Sequence, residues 1–258
     1  MNAALQSPLE GLHAVVTGAA GGIGRAIVME LMGQGAIVHG LDRNTEGLSR
    51  ISSMAASGHF RPYAVDLSNR GELDRLLTHL KVSLQGRCDI LVNNAGVSYL
   101  RTLEESDDEL LEKTLSVNFI AAFRLTRGLL GALKASGRAS IVNIASELAL
   151  VGQENYGAYC ASKGAVLAWS RSLALELAPA GIRVNAVCPG PIDTPLLQAE
   201  FSSQPNPQQA ASFEVMNIPL ARLGVPADIA PTVAFLAGAA AKFVTGAAWT
   251  LDGGKTAR

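Results

Sequence analysis

The chain has little cysteine: Cys88, Cys160 and Cys188 in 258 residues, an odd number with no CxxC pair. A disulfide framework is therefore not expected, and the thiols suit a reducing, cytoplasmic setting. Histidine is as sparse. His13, His39, His59 and His79 share no HxxxH spacing, so no metal site is expected. No uninterrupted apolar run approaches the ~20 residues of a membrane span, and the opening MNAALQSPLEG lacks the charged-then-apolar order of a secretory signal. The formal net charge is −1. This leaves no basic surplus to hold nucleic acid and no acidic tail to argue for disorder. No Pro/Gly/Ser-rich linker and no internal repeat divides the chain.

What is present is 48% apolar residues, enough for a sizeable core, arranged in a regular alternation. Short β-branched runs at 12–17, 36–41, 61–65, 89–93, 140–145, 183–188 and 247–251 alternate with helical patterns such as 22–34, 69–84, 103–133 and 157–178. Strands alternating with helices predict βαβ units and a buried parallel sheet. Ser106-Asp-Asp-Glu109 reads as a capping box at the head of the long helix, which makes its aspartates a solvated first turn rather than a catalytic pair. Apolar residues cover more than one face of that helix, and the helix from 157 is rich in Ala and Gly, so the two could meet another subunit. The stretch 189–217 is irregular and long, which suggests a lid over a binding site.

Two stretches carry chemistry. VVTGAAGGIG (15–24) follows a strand and opens a helix, with glycines at Gly18-x-x-x-Gly22-x-Gly24. Such a turn lets backbone N–H groups approach a pyrophosphate at a helix N-terminus. The next strand ends at Asp42, 18 residues past Gly24, close to the ~20 expected for an acid that binds the adenosine ribose. A carboxylate there repels a 2′-phosphate and favours NAD over NADP; Arg43 beside it pulls the other way. The second stretch is YGAYCASK (156–163). On a helix, Tyr159 and Lys163 are neighbours one turn apart, with a rise of ~6 Å, whereas Tyr156 lies two turns from the lysine. An ammonium beside Tyr159 would favour its phenolate, making the phenol a proton shuttle.

Taken together, TGAAGGIG (17–24), VDLS (65–68), NNAG (93–96), SVN (116–118), NIAS (143–146), YCASK (159–163), NAVCPGPIDTP (185–195) and LDGG (251–254) resemble the short-chain dehydrogenase/reductase family in order and spacing. The resemblance spans Thr17 to Gly254. It implies one Rossmann-like domain over 1–258, a doubly wound seven-stranded parallel sheet with helices on both faces, with 189–217 as substrate lid. It implies a catalytic set of Asn118, Ser146, Tyr159 and Lys163. For the cofactor it implies Gly18, Gly22, Ile23, Gly24, Asp42 and Arg43 at the glycine-rich end, Asp66 and Leu67 at the adenine, and Asn93, Ala95 and Gly96 along the floor. Ile192 and Thr194 would fix the nicotinamide carboxamide, with Pro189, Gly190, Tyr159 and Lys163 also touching the cofactor. In the family a local distortion around the asparagine lets it hold a water linked to the lysine. A homotetramer is implied as well.

The expected activity is NAD(H)-dependent interconversion of a secondary alcohol and its ketone. An NADPH-dependent 3-oxoacyl-thioester reductase is the alternative, and a non-catalytic NAD-binding redox sensor a third. Leu148, Val151, Leu196, Leu197, Phe201, Phe213 and Met216 offer apolar surface to a substrate; Glu147, Gln153, Glu154 and Asn155 offer polar handles. Tyr156 is expected either as a pocket wall or as a packing residue only.

Overall fold

Seven apolar runs become seven strands in the structure, a computed structural model that describes residues 7–257. They are β1 (His13–Thr17), β2 (Ile37–Asp42), β3 (Phe60–Ala64), β4 (Ile90–Asn93), β5 (Ser140–Ile144), β6 (Arg183–Pro189) and β7 (Ala248–Leu251). All pair in parallel, in the order β3-β2-β1-β4-β5-β6-β7. The central strands β1, β4 and β5 are buried along their whole length. Two coverings explain why. On one face Val16, Val92 and Val142 pack against Ile27, Ile51 and Val233. On the other, their neighbours Val15, Leu91 and Ile141 pack against Leu76, Leu129 and Leu177. A strand dressed on both sides has no polar face to alternate with, so it reads as a continuous apolar run.

The first covering comes from α1 (Gly22–Gly33), α2 (Thr45–Met54) and α9 (Pro226–Ala237). The second comes from α3 (Arg70–Ser83), α5 (Ala121–Ser136) and α6 (Gly157–Leu177). From β1 the chain winds outward to β2 and β3, then returns to β4 on the other side. At that reversal, beyond the carboxyl ends of the strands, an open α/β sheet leaves a crevice.

Three details bear on the sequence expectations: two depart from them, and the distortion implied around Asn118 is present as a π turn. The helix after residue 103 starts later, with α4 (Asp108–Leu115), and its N-cap is Asp107 rather than Ser106. The Asp107 carboxylate accepts from the Leu110 N–H at 2.8 Å, while the Ser106 hydroxyl donates to the Thr102 carbonyl at 2.8 Å. The anionic cap also suits the positive end of the helix better than a hydroxyl does. Next, α4 does not run smoothly into α5; a π turn, Ser116–Ile120, joins them. Finally, the irregular 189–217 stretch contains two short helices, α7 (Pro195–Ser202) and α8 (Pro207–Met216). Each opens on a capping side chain followed by proline: Thr194 accepts from the Leu197 N–H and Asn206 from the Gln209 N–H. Among the described residues no helix is long and apolar enough to cross a membrane.

Candidate active site

The glycine-rich turn is shaped by contacts that tolerate no side chain. Gly18 has φ +63°, and a Cβ on Gly24 would stand 1.9 Å from the Gly18 carbonyl oxygen. A Cβ on Gly22 would meet Thr194 Cγ2 at 2.7 Å. The N-cap of α1, Gly21, has no side chain to accept from the first helical turn, and that turn carries no acid. Its backbone N–H groups therefore open onto the cleft, a cradle suited to a phosphate anion. Asp42 closes the turn from the side: Oδ2 accepts from the Ala20 N–H and Oδ1 from the Asn44 N–H, both at 2.9 Å. Thus it lines the cleft and ties the turn to β2. Arg43 lines the cleft next to it. Asp66 accepts from the Ser68 hydroxyl at 2.6 Å and the Ser68 N–H at 2.9 Å. These bonds, with a smaller contribution from the Arg43 charge, hold its carboxyl below the usual range.

Of the residues that the sequence places on the cofactor floor, Ala95 and Gly96 line the cleft and Asn93 does not. Asn93 is buried behind the wall, its amide donating to Asn143 Oδ1 at 2.8 Å and Thr126 Oγ1 at 3.2 Å. Strand alternation explains the correction: the wall residue is its neighbour Asn94. The Asn94 side-chain amide donates to the Thr17 carbonyl at 2.9 Å, and its backbone N–H donates to Thr17 Oγ1 at 2.9 Å. Asn94 so stitches β4 to β1 where the crevice opens. Gly18, Gly22, Ile23, Gly24, Leu67, Pro189, Gly190, Ile192 and Thr194 all line the cleft.

Further along it lie Ser146, Tyr159 and Lys163. The Lys163 ammonium is buried; it donates to the Ile144 carbonyl at 2.9 Å and sits 5.7 Å from the centre of the Tyr159 ring. Asn118 stands behind this wall in the π turn. Its Oδ1 accepts from the Val97 N–H at 2.8 Å, and its amide donates to the Val97 carbonyl and to Ser162 Oγ, each at 2.9 Å. A π turn adds one residue to a helix and re-aims side chains there, which lets Asn118 clamp the segment after β4 instead of continuing the helix face. Ser146 heads a single 3-10 turn and accepts from the Leu148 N–H at 3.1 Å.

Burial raises the Tyr159 phenol well above its ordinary value; the Glu147 carboxylate adds to this, and a hydrogen bond with Ser146 opposes it. Burial also brings Lys163 down to about 8. In this geometry burial outweighs any pull of Lys163 on the Tyr159 phenolate, since the ammonium is itself destabilised there. Tyr156 is a wall of the cleft, its hydroxyl donating to Glu200 Oε2 at 2.8 Å.

The substrate end differs from expectation. Leu148, Leu196, Leu197 and Phe201 line it with Glu147 and Gln153, whereas Val151, Phe213 and Met216 point outward and are exposed. Glu154 and Asn155 are not part of the wall. Glu200, Glu214 and Lys255, which no motif signals, are. The Lys255 ammonium donates to Glu147 Oε1 at 3.3 Å, to Gln153 Oε1 at 3.4 Å, and to Glu214 Oε1 in a close ion pair. The whole cavity, from Arg43 to Lys255, has a volume of about 340 Å³.

The family described as enoyl-(acyl carrier protein) reductase matches residues 18–256. The chain belongs to the short-chain dehydrogenase/reductase family. This short-chain dehydrogenase/reductase is similar, at TM-score 0.89 and 35% identity, to a Beutenbergia cavernae protein assigned provisionally as an NAD(P)-dependent gluconate 5-dehydrogenase, whose structure holds NADP at low occupancy; the match covers 98% of this chain and 100% of that one. It is also similar to a 3-ketoacyl-(acyl-carrier-protein) reductase of Brucella melitensis in complex with NADH, at TM-score 0.87 and 32% identity over 96% of this chain and 99% of that one. Among curated proteins, the D-β-hydroxybutyrate dehydrogenase of Cupriavidus necator is 31% identical over 258 residues, 97% of this chain and 100% of that protein. The seven-stranded sheet is that of the family, and membership makes the chain an oxidoreductase with an NAD(P)-binding fold.

Proposed function

We propose that this short-chain dehydrogenase/reductase interconverts a secondary alcohol and its ketone, with NAD(H) as the preferred dinucleotide. The observation that carries the reading is the convergence of Ser146, Tyr159 and buried Lys163 on one end of a cleft whose other end is a glycine cradle. The turn from Gly18 to Gly24 would hold the pyrophosphate, Asp42 the ribose hydroxyls, Asp66 and Leu67 the adenine, and Ile192 and Thr194 the carboxamide. When bound, the nicotinamide takes up or delivers the hydride. The rest falls to this chain. As the phenolate, which Lys163 and the positive ring of an oxidised nicotinamide would favour together, Tyr159 accepts the hydroxyl proton of the alcohol in one direction, and as the phenol it returns it to the forming alkoxide in the other. Ser146 donates a hydrogen bond to the same oxygen, where charge develops. Lys163 raises the positive potential beneath Tyr159, and Asn118 keeps the wall above it in place by clamping Val97.

Asp42 favours NAD through charge, and Arg43 in the same wall favours a second reading, an NADPH-dependent 3-oxoacyl-thioester reductase. A screen of alcohols and ketones with NAD(H) and NADP(H), followed by NADH or NADPH absorbance, separates them. Faster turnover with NAD(H) on simple secondary alcohols supports the first reading; selective NADPH consumption on 3-oxoacyl thioesters supports the second. Tight dinucleotide binding without turnover of any substrate would replace both with the redox sensor. The three free cysteines suit a cytoplasmic setting. A homotetramer is supported by the ring cluster of Phe119 in the π turn, Phe123 on α5 and Trp169 on α6, with Phe123 41% exposed. Light scattering should give a tetramer's mass, and a monomer's would refute the assembly.

A further inference from the structure

The substrate end of the cleft is unusual in its charge. Glu147, Glu200 and Glu214 line it with Lys255, three carboxyl groups and one ammonium, and burial raises Glu147 to about 7 and lifts Glu200 above the ordinary carboxyl range. The lysine is held in place by the turn after β7: the Asp252 carboxylate accepts from the Gly254 N–H, the Thr256 N–H and the Thr256 hydroxyl, at 2.9, 2.8 and 2.6 Å. The Lys255 side chain is 14% exposed, Glu147 5% and Glu214 13%. An ammonium has three protons to donate. Lys255 directs them at Glu147, Gln153 and Glu214. Burial works against its charge, and Glu214 and Glu147 more than restore it. Glu200, in turn, is met by the Tyr156 hydroxyl.

Resting on the alcohol–ketone reading, we propose that this pocket selects an uncharged, hydroxyl-bearing substrate and excludes anionic ones, and that the Glu147–Lys255–Glu214 group is the specificity-determining device. An incoming carboxylate finds the lysine's donors committed. To gain one it would have to strip a buried glutamate of its partner, and a buried charge left alone is strongly unfavourable. A neutral hydroxyl needs no such exchange. It can donate to a free lone pair of Glu147, Glu200 or Glu214 and leave the ion pairs whole. The other cations of the cleft, Arg43 and Lys163, lie at its dinucleotide end and beneath Tyr159, where they do not meet the far end of a substrate.

A matched trio tests this: 1,3-butanediol, 3-hydroxybutyrate and 4-amino-2-butanol share a reacting secondary alcohol and differ in the charge at the other end. Binding is read by calorimetry in the Tyr159→Phe variant with NAD⁺ present, so that no turnover is needed. The diol should bind at least tenfold more tightly than the hydroxy acid. Glu214→Gln, which releases one donor of Lys255, should narrow that ratio at least fivefold; Lys255→Met should widen it. Steady-state kcat/KM for the wild type should follow the same order. Tighter binding of the hydroxy acid, with its loss in Lys255→Met, would overturn the proposal by making Lys255 an anion receptor. A preference for the amino alcohol, or no binding by any of the three, would overturn it too. Binding without turnover would leave selection standing and sink the alcohol–ketone reading, whereas turnover that favours the hydroxy acid would do the reverse.

Discussion

The proposed chemistry turns on Tyr159. Tyr159→Phe removes one oxygen and is expected to lower kcat by about 10²–10⁴-fold, the usual scale for losing a general acid–base. Dinucleotide affinity by fluorescence titration should stay within about threefold, since that reads the other end of the cleft. Retained turnover would remove Tyr159 from the proton transfer. Asp42→Asn keeps an oxygen for Ala20 or Asn44 but removes the charge, so kcat/KM for NAD relative to NADP should fall at least fivefold; an unchanged ratio would take Asp42 out of cofactor choice. The pair at 159 and 163 is legible from sequence because its geometry is local: four residues on a helix fix a neighbour. Glu214 and Lys255 were not legible because 41 residues separate them and only the tertiary fold brings them together. Asn93 and Asn94 look alike in sequence, and only strand alternation in the actual register decides which one faces the crevice.

Helices and their ends show the same division. Strands and long helices follow from apolar spacing, which burial enforces along many residues. Caps depend on a single residue, and the start of α4 moved by one. Asp107→Ala should therefore cost about 1 kcal/mol of stability in denaturant unfolding, the typical loss of an N-cap, while Ser106→Ala should cost clearly less. Equal losses would return the cap to Ser106. The helices α7 and α8 are short, with much of their surface exposed, so periodicity does not reveal them. Thr194-Pro195 and Asn206-Pro207 do carry the signal, a capping residue followed by proline at the first helical position.

Across the whole molecule, the sheet order and both coverings follow from the alternation of apolar runs and helices. A titrating group hidden in that sheet does not. His13 Nδ1 and His39 Nε2 lie 3.1 Å apart, and His39 Nδ1 is 3.2 Å from the Tyr63 hydroxyl. Burial lowers both imidazoles, His39 to about 3. The unfolded chain then binds more protons than the folded one below about pH 6.5, the ordinary histidine value. Stability present above that pH is expected to drain away as pH falls toward 3. Thermal unfolding between pH 7.5 and 4 checks this, and His39→Gln should flatten the slope even if it lowers the midpoint. The π turn has a different reach. By holding one surplus residue between α4, which packs on α6, and α5, which packs on the sheet, it sets the angular phase between two halves of one rod. Deleting Val117, the residue before Asn118, would remove that surplus, let the rod wind regularly and turn the Asn118 side chain away from its present direction. The clamp on Val97 would then open although Asn118 itself remained encoded.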